Sequence, residues 1–313
     1  MTIIEFKNSN EWHGIRSNHI GASETAALFG ISPWMTKWKL FRLNSGKLEK
    51  FEDNGSMRRG RHFEPAIASY AKEEFGLVME KVNTYATDDD CIGMGASLDY
   101  AMATPEGVVP VEIKWVERND GWKWESDEIT QMPDYYMLQV QQQIACVGGS
   151  SGMLIAFIGG TVRRMVIPRS DVIIGEIRKS IKSFWDDIQE NREPEIDFSR
   201  DANAIFDLAK NQPLRTIDLS PTSLALFEEY LKANEEAKDA DKRADAAKAE
   251  LVKMVLDSGI GNDGKAVATY GNYKMQLTKI ADNPGKEVTS DMVGTIINAR
   301  KGYLKTTISK AKE

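Results

Sequence analysis

Two carboxylates and an ammonium stand at a spacing that invites phosphodiester chemistry. Asp99 closes the run Ser97-Leu98-Asp99, and after twelve intervening residues Glu112-Ile113-Lys114 follows. On two paired strands Asp99 and Glu112 project to one face, and the side-chain period of two puts Lys114 there as well. Such a trio is costly to hold out of water unless a divalent cation neutralises the carboxylates. Magnesium at that point would polarise a scissile phosphodiester and acidify a water that Lys114 orients or deprotonates. A salt-bridged surface hairpin is the other reading of the same pattern, because many unrelated strands match D...E-x-K.

Other metal chemistry finds little support. The three histidines, His13, His19 and His62, have no partners at ligand spacing, and Cys91 and Cys146 stand far apart without a C-x-x-C pair. Both cysteines read as buried, reduced thiols. A metal would have to sit on carboxylates, which favours a hard ion such as Mg2+ or Mn2+. The glycines of VGGSSG lack the Gly-Lys-Ser/Thr of a phosphate loop and read as a turn closing a helix.

The 313 residues, 42% hydrophobic and 28% charged, have the balance of an ordinary globular chain with room for one large core and an appended unit. No apolar run approaches the roughly 18 residues of a membrane span, and MTIIEFKNSN lacks the blocks of a signal peptide, so a cytoplasmic protein is expected. A net charge of −7 sits awkwardly with DNA binding. Between Trp34 and Arg61, however, Lys37, Lys39, Arg42, Lys47, Lys50, Arg58, Arg59 and Arg61 face only Glu49, Glu52 and Asp53. That island reads as a phosphate-binding surface or as a solvated pair of helix faces.

The elements that must position these residues follow from pattern. Residues 1–198 mix helical and strand signals, as in an α/β (α+β) domain with a central mixed sheet flanked by helices. Ser23 is placed to cap a short helix over ETAALF; further helices are expected over Thr36–Asn44, Arg58–Phe75, Asp134–Val147 and Val172–Asn191. Gly93–Tyr100 and Val108–Val116 look like an antiparallel pair joined through a Pro-Gly turn, and MLIAFI and VRRMVI flank Gly159-Gly160 as a hairpin. Residues 199–219 read as a linker. From residue 220 a helix shows an alanine-lined seam at Ala233, Ala237, Ala240, Ala244, Ala247, Leu251 and Met254, spaced for close packing on a partner. A hairpin about Gly271-Asn272 and a lysine-rich polar tail complete this helical and hairpin C-terminal extension.

Four blocks, in order, carry a resemblance: RSNHIGASE with Arg16 and Ser23, GRHFEPAIASYAKEEFG, GASLDY followed by VEIK, and YYMLQVQQQIACVG. Over residues 12–160 the chain resembles the lambda-type exonucleases and related viral recombinase nucleases of the PD-(D/E)XK superfamily. Leu98 stands where that motif has its proline, a position that shapes the strand.

The resemblance implies a restriction-endonuclease-like core in which Asp99, Glu112 and the Ile113 carbonyl hold two Mg2+ (or Mn2+) ions and Lys114 is the catalytic lysine. By the same resemblance Glu64 completes or supports the metal site, and Gln139 and Gln141 match a glutamine block able to hold water or phosphate. Arg16 and Ser23 match residues that grip a terminal 5′-phosphate, a role that a charge-assisted arginine contact and free helix N–H groups suit. Asp89 matches a further acidic position, or with its neighbours forms a solvated turn; Met57 matches an apolar wedge between end base pairs, or is a core residue. The activity implied is 5′ to 3′ digestion of linear double-stranded DNA to 5′-mononucleotides, leaving a 3′ strand for a single-strand annealing protein in phage-type recombination. A homotrimer encoded by a phage or prophage is implied as well. A structure-specific or restriction-type endonuclease and a catalytically silent DNA-binding or assembly protein are the rival readings.

Overall fold

The computed structural model describes residues 2–48, 55–210, 216–259, 265–280 and 303–310. It divides into two units, Met1–Leu214 and Arg215–Glu313. The first begins β1 (Thr2–Glu5), α1 (Ser9–Arg16), β2 (Ile20–Gly21), α2 (Thr25–Leu28), α3 (Lys37–Asn44) and α4 (Gly55–Phe75). Short strands follow: β3 (Glu80–Lys81), β4 (Thr84–Thr87), β5 (Met94–Ser97), β6 (Tyr100–Thr104), β7 (Gly107–Trp115), β8 (Lys123–Glu125) and β9 (Glu128–Gln131). The unit closes with α5 (Asp134–Val147), β10 (Ser151–Ile158), β11 (Thr161–Pro168), α6 (Asp171–Gln189) and α7 (Phe198–Lys210).

A mixed seven-stranded sheet of order β3-β6-β7-β10-β11-β9-β8 forms the centre, beside a four-stranded sheet of order β1-β4-β5-β2. In the large sheet β7 is antiparallel to β6 and parallel to β10, so it lies inside the sheet. Alternation then divides its side chains. Val111 and Ile113 join Ile67, Ala68 and Ala71 of α4 in one core, while the intervening Glu112 faces the opposite side. That side is covered by α5, whose Val140 and Ile144 pack on Leu154 and Ala156 of β10.

Local chemistry fixes the ends of the helices that matter. Thr36 caps α3 by accepting from the Lys39 N–H, and Ser170 caps α6 by accepting from the Ile173 N–H. Pro133 precedes α5, and Gly148, at φ +65°, closes it in the left-handed conformation. Gly93 is required twice over: its φ is +85°, and a Cβ there would collide with the Trp185 indole.

Several expectations change. Ser23 caps nothing: α2 starts at Thr25 behind Glu24, and no side chain caps it. Gly93–Tyr100 is two strands in two sheets, with the chain turning at Leu98-Asp99, because β5 pairs with β4 and β2 while β6 pairs with β7. The third helix begins at Gly55 and runs through Pro65. The stretch expected as a linker holds α7, anchored by Asp201 and Ala204, both buried. Lys50, Glu49, Glu52 and Asp53 of the basic island lie outside the described residues.

The second unit holds a short 3-10 turn at Pro221–Ser223, then α8 (Leu224–Asp257), β12 (Lys265–Tyr270), β13 (Tyr273–Ile280) and β14 (Tyr303–Lys310). The hairpin at Gly271-Asn272 forms as expected, and β14 extends it into an antiparallel sheet of order β12-β13-β14. No residue of α8 is buried, so the alanine seam is not covered within its own unit. Among the described residues no helix is long and apolar enough to cross a membrane.

Candidate active site

The turn between β5 and β6 delivers Asp99 to the flank of β7. There its Oδ2 accepts from the Ile113 N–H at 2.9 Å, which ties the carboxylate to the strand that carries Glu112. Glu112 is only 4% exposed and is surrounded by donors. Lys114 Nζ lies 2.5 Å from its Oε1, Gln139 Nε2 donates to the same oxygen at 2.6 Å, and Gln143 Nε2 donates to Oε2 at 2.5 Å. The two glutamines are four residues apart on α5, one turn of the same helix face, and so grip both oxygens of one carboxylate.

The electrostatics of the trio follow from its crowding. Burial, then repulsion from Glu112, raises the Asp99 carboxyl well above the usual carboxylate range, although Lys114 draws it back. Burial would lower the Lys114 ammonium, but attraction to Glu112 and Asp99 outweighs it and holds its pKa above the ordinary lysine value. Lys114 is therefore a cation at neutral pH. That suits it to orienting a nucleophile and stabilising negative charge rather than to taking up a proton.

The residues suit a hard divalent ion. The two carboxylates, with the Ile113 carbonyl that the resemblance adds, make an all-oxygen donor set, one ammonium leaves them one negative charge in excess, and the buried Gln143 Oε1 has no hydrogen-bond partner. Asp99, Glu112 and the Ile113 carbonyl would hold it. Glu64 stands near enough to Asp99 to raise its pKa further, but its Oε1 is engaged by Lys81 Nζ at 2.9 Å. Accordingly, no group of three or more acidic, histidine or cysteine side chains is already gathered as a metal cluster among the described residues.

The remaining expected residues fall at different places. Arg16 and Ser23 do meet, Arg16 Nη2 to Ser23 Oγ at 3.4 Å, yet Glu24 pairs with the same guanidinium at 2.9 Å. Gln141 points away from Glu112: it donates to the Pro168 carbonyl at 2.7 Å and accepts from the Ser170 N–H at 2.8 Å, bracing the start of α6. Asp89 is an exposed residue bonded to Thr2 at 2.9 Å, while its neighbour Asp88 is buried against Arg178. Met57 is exposed on the first turns of α4 and is no core residue. The basic island is partly neutralised: Lys37 pairs with Asp187, Arg42 with Glu193 and Arg59 with Glu117. Both cysteines are buried and free, as expected.

Gln143 is the residue that the sequence reading passed over. Its signal was the four-residue interval from Gln139, obscured by a run of three consecutive glutamines. Gln142, between Gln141 and Gln143, serves the fold, donating to the Ile20 and Gly95 carbonyls at 2.8 Å each. Tyr136 was also missed. It lays its ring 5.2 Å from Lys114 Nζ, and burial pushes its phenol up to about 12.

The sequence profile of the YqaJ-like viral recombinase domain matches residues 11–151, a span containing Asp99, Glu112, Lys114, Gln139 and Gln143. Residues 11–151 form a YqaJ-like viral recombinase domain. The resemblance to the lambda-type exonucleases and viral recombinase nucleases is thereby borne out over those residues. Among solved structures it is similar to an alkaline exonuclease, LHK-Exo, from Laribacter hongkongensis: 18% identity, TM-score 0.44, covering 63% of this chain and 100% of that one. A phage-related exonuclease from Haemophilus somnus 129PT is similar at 11% identity and TM-score 0.40, covering 60% of this chain and 91% of the other. No curated protein matches the chain.

Proposed function

We propose that this YqaJ-like domain is a Mg2+-dependent exonuclease that digests linear double-stranded DNA 5′ to 3′, releasing 5′-mononucleotides and leaving a 3′ single strand. The observation that carries this reading is the convergence of Asp99, Glu112 and a cationic Lys114 beside α5. A bound divalent ion, two in the full reading, supplies the Lewis acid that polarises the phosphoryl oxygens. The chain's own residues do the rest. Lys114 orients the attacking water and balances charge developing on the phosphate. Gln139 and Gln143 hold Glu112 so that its oxygens are presented in one orientation. Water attacks phosphorus, the bond from phosphorus to the 3′ oxygen breaks, and that oxygen takes a proton; the nucleotide leaves and the shortened strand keeps a 5′-phosphate.

Around this centre Glu64 supports the metal once Lys81 yields it. Arg16 and Ser23 receive the 5′-phosphate in competition with Glu24, and the exposed Met57 serves as the wedge at the duplex end. The proposed partners are DNA ends, a single-strand annealing protein and two further copies of the chain.

End-labelled linear duplex and closed circular plasmid, each with Mg2+ and with chelator, test the reading. Mononucleotide release from the linear substrate alone, abolished by chelator and by Glu112→Ala, is the expected result. Cleavage of the circle would reassign the chain as an endonuclease.

A further inference from the structure

Trp34 is 63% exposed, yet the loop that carries it is firmly held. The buried Ser32 accepts from the N–H groups of Trp34 and Met35 at 3.3 and 3.2 Å. Arg200 donates to the Ser32 and Met35 carbonyls, and Thr36 donates to the buried Asp201 at 2.7 Å. The backbone is therefore fixed by α3 and α7 while the indole stands outside the core, forgoing the burial that its area offers.

What the indole touches leads to the carboxylates. Its ring lies 5.1 Å from Tyr135 and 6.4 Å from Tyr136, at interplanar angles of 76° and 50°, so neither contact is a parallel stack. Tyr136 is backed by Trp122 at 5.4 Å and faces Lys114 Nζ at 5.2 Å. A continuous aromatic path thus joins the Lys114–Glu112 pair to an exposed π surface.

We propose that Trp34 and Tyr135 form a stacking platform for an unpaired nucleobase of the strand being cut, next to the phosphate that Lys114 addresses. The proposal rests on the nuclease reading above. A base is the occupant favoured by continuity with that site, and stacking suits an enzyme that must accept every end, because each base offers a π face whatever its hydrogen-bonding edge. Stacking also holds a frayed terminal nucleotide away from its complement, so that the attacked phosphate stays in place.

Linear duplexes carrying one abasic residue at the first, second or third nucleotide from the 5′ end, digested by wild type, Trp34→Ala and Trp34→Phe in Mg2+, test the platform. Wild type should lose about tenfold in kcat/KM when one particular base is absent, the scale of one aromatic–base stack. Trp34→Ala should lose about the same on intact DNA and nothing further on that abasic substrate, whereas Trp34→Phe keeps most of the rate. Losses that multiply at all three positions would give the indole to another occupant, such as an apolar peptide, and overturn the platform, as would a wild-type rate for Trp34→Ala on intact DNA. If wild type fails to digest intact DNA, the nuclease reading itself falls, and the platform with it.

Discussion

Glu112 receives three side-chain donors, and removing them one at a time should separate chemistry from folding. Gln143→Leu is expected to slow cleavage per folded molecule by about tenfold or more, and to lower the melting temperature as well, because it strands Glu112 Oε2 and the Ser97 carbonyl. Gln141→Leu should lower stability alone. It strands the Ser170 N–H and the Pro168 carbonyl, at a cost of about 1 to 3 kcal/mol, and leaves turnover per folded molecule intact. Thermal melts paired with single-turnover rates distinguish the two.

Asp99 makes a pH prediction. Its folded-state pKa is raised, by burial and then by Glu112, so the folded chain keeps a proton that the unfolded chain has lost. Stability without metal should accordingly fall as pH rises from the ordinary aspartate range through the raised value. Asp99→Asn can still accept from the Ile113 N–H and cannot ionise, so chelator-treated melts at about pH 5 and about pH 8 should differ less than in wild type. The same variant should lose the stabilisation that Mg2+ gives to wild type. An Asn variant with wild-type pH slope and Mg2+ gain would mean that the charge of Asp99 is not what the ion neutralises.

At the scale of elements, α5 does two things on two faces. Gln139 and Gln143 serve Glu112, while Gln142 ties the helix to β2 and β5. The limits and type of this helix were legible in the sequence, since Pro133 and Gly148 bracket a helical pattern. Which glutamine faces which neighbour was not, because that depends on how α5 is rotated against two sheets. Element α7 is the converse case: a stretch read as linker whose Asp201 is buried against Thr36. Asp201→Ala should lower stability by about 1 to 3 kcal/mol through the stranded Thr36 hydroxyl and Asp197 N–H. If the Trp34 loop depends on α7, the exposure of Trp34 in the variant, read by acrylamide quenching against Trp34→Phe controls, should change as well.

For the whole molecule, every residue of the candidate site lies in the unit ending at Leu214. Deleting the second unit should leave a soluble domain that melts cooperatively and cleaves DNA at a rate within about tenfold of the full chain, the loss falling on processivity or partner binding. Insolubility of the truncated chain would show that α8 completes the nuclease core. In a chain of net charge −7 the local island is itself partly neutralised, since Asp187, Glu193 and Glu117 return from distant segments to pair with its cations.

By itself the sequence determined the chemistry on offer: Asp99, Glu112 and Lys114 at strand spacing, the glutamine block, and the four ordered motifs that mark the family. Residue type and short-range period suffice for these, since both act within a few positions of the chain. Only the tertiary structure decided that Asp99 reaches β7 from a turn between two sheets, that Gln143 rather than Gln141 grips Glu112, and that Arg16 pairs with Glu24 and Glu64 with Lys81. Only it set Trp34 beside Lys114 by way of Tyr136. Those contacts join segments tens of residues apart, where the rotation of a helix or the path of a turn sets the distance, and neither is written in local spacing.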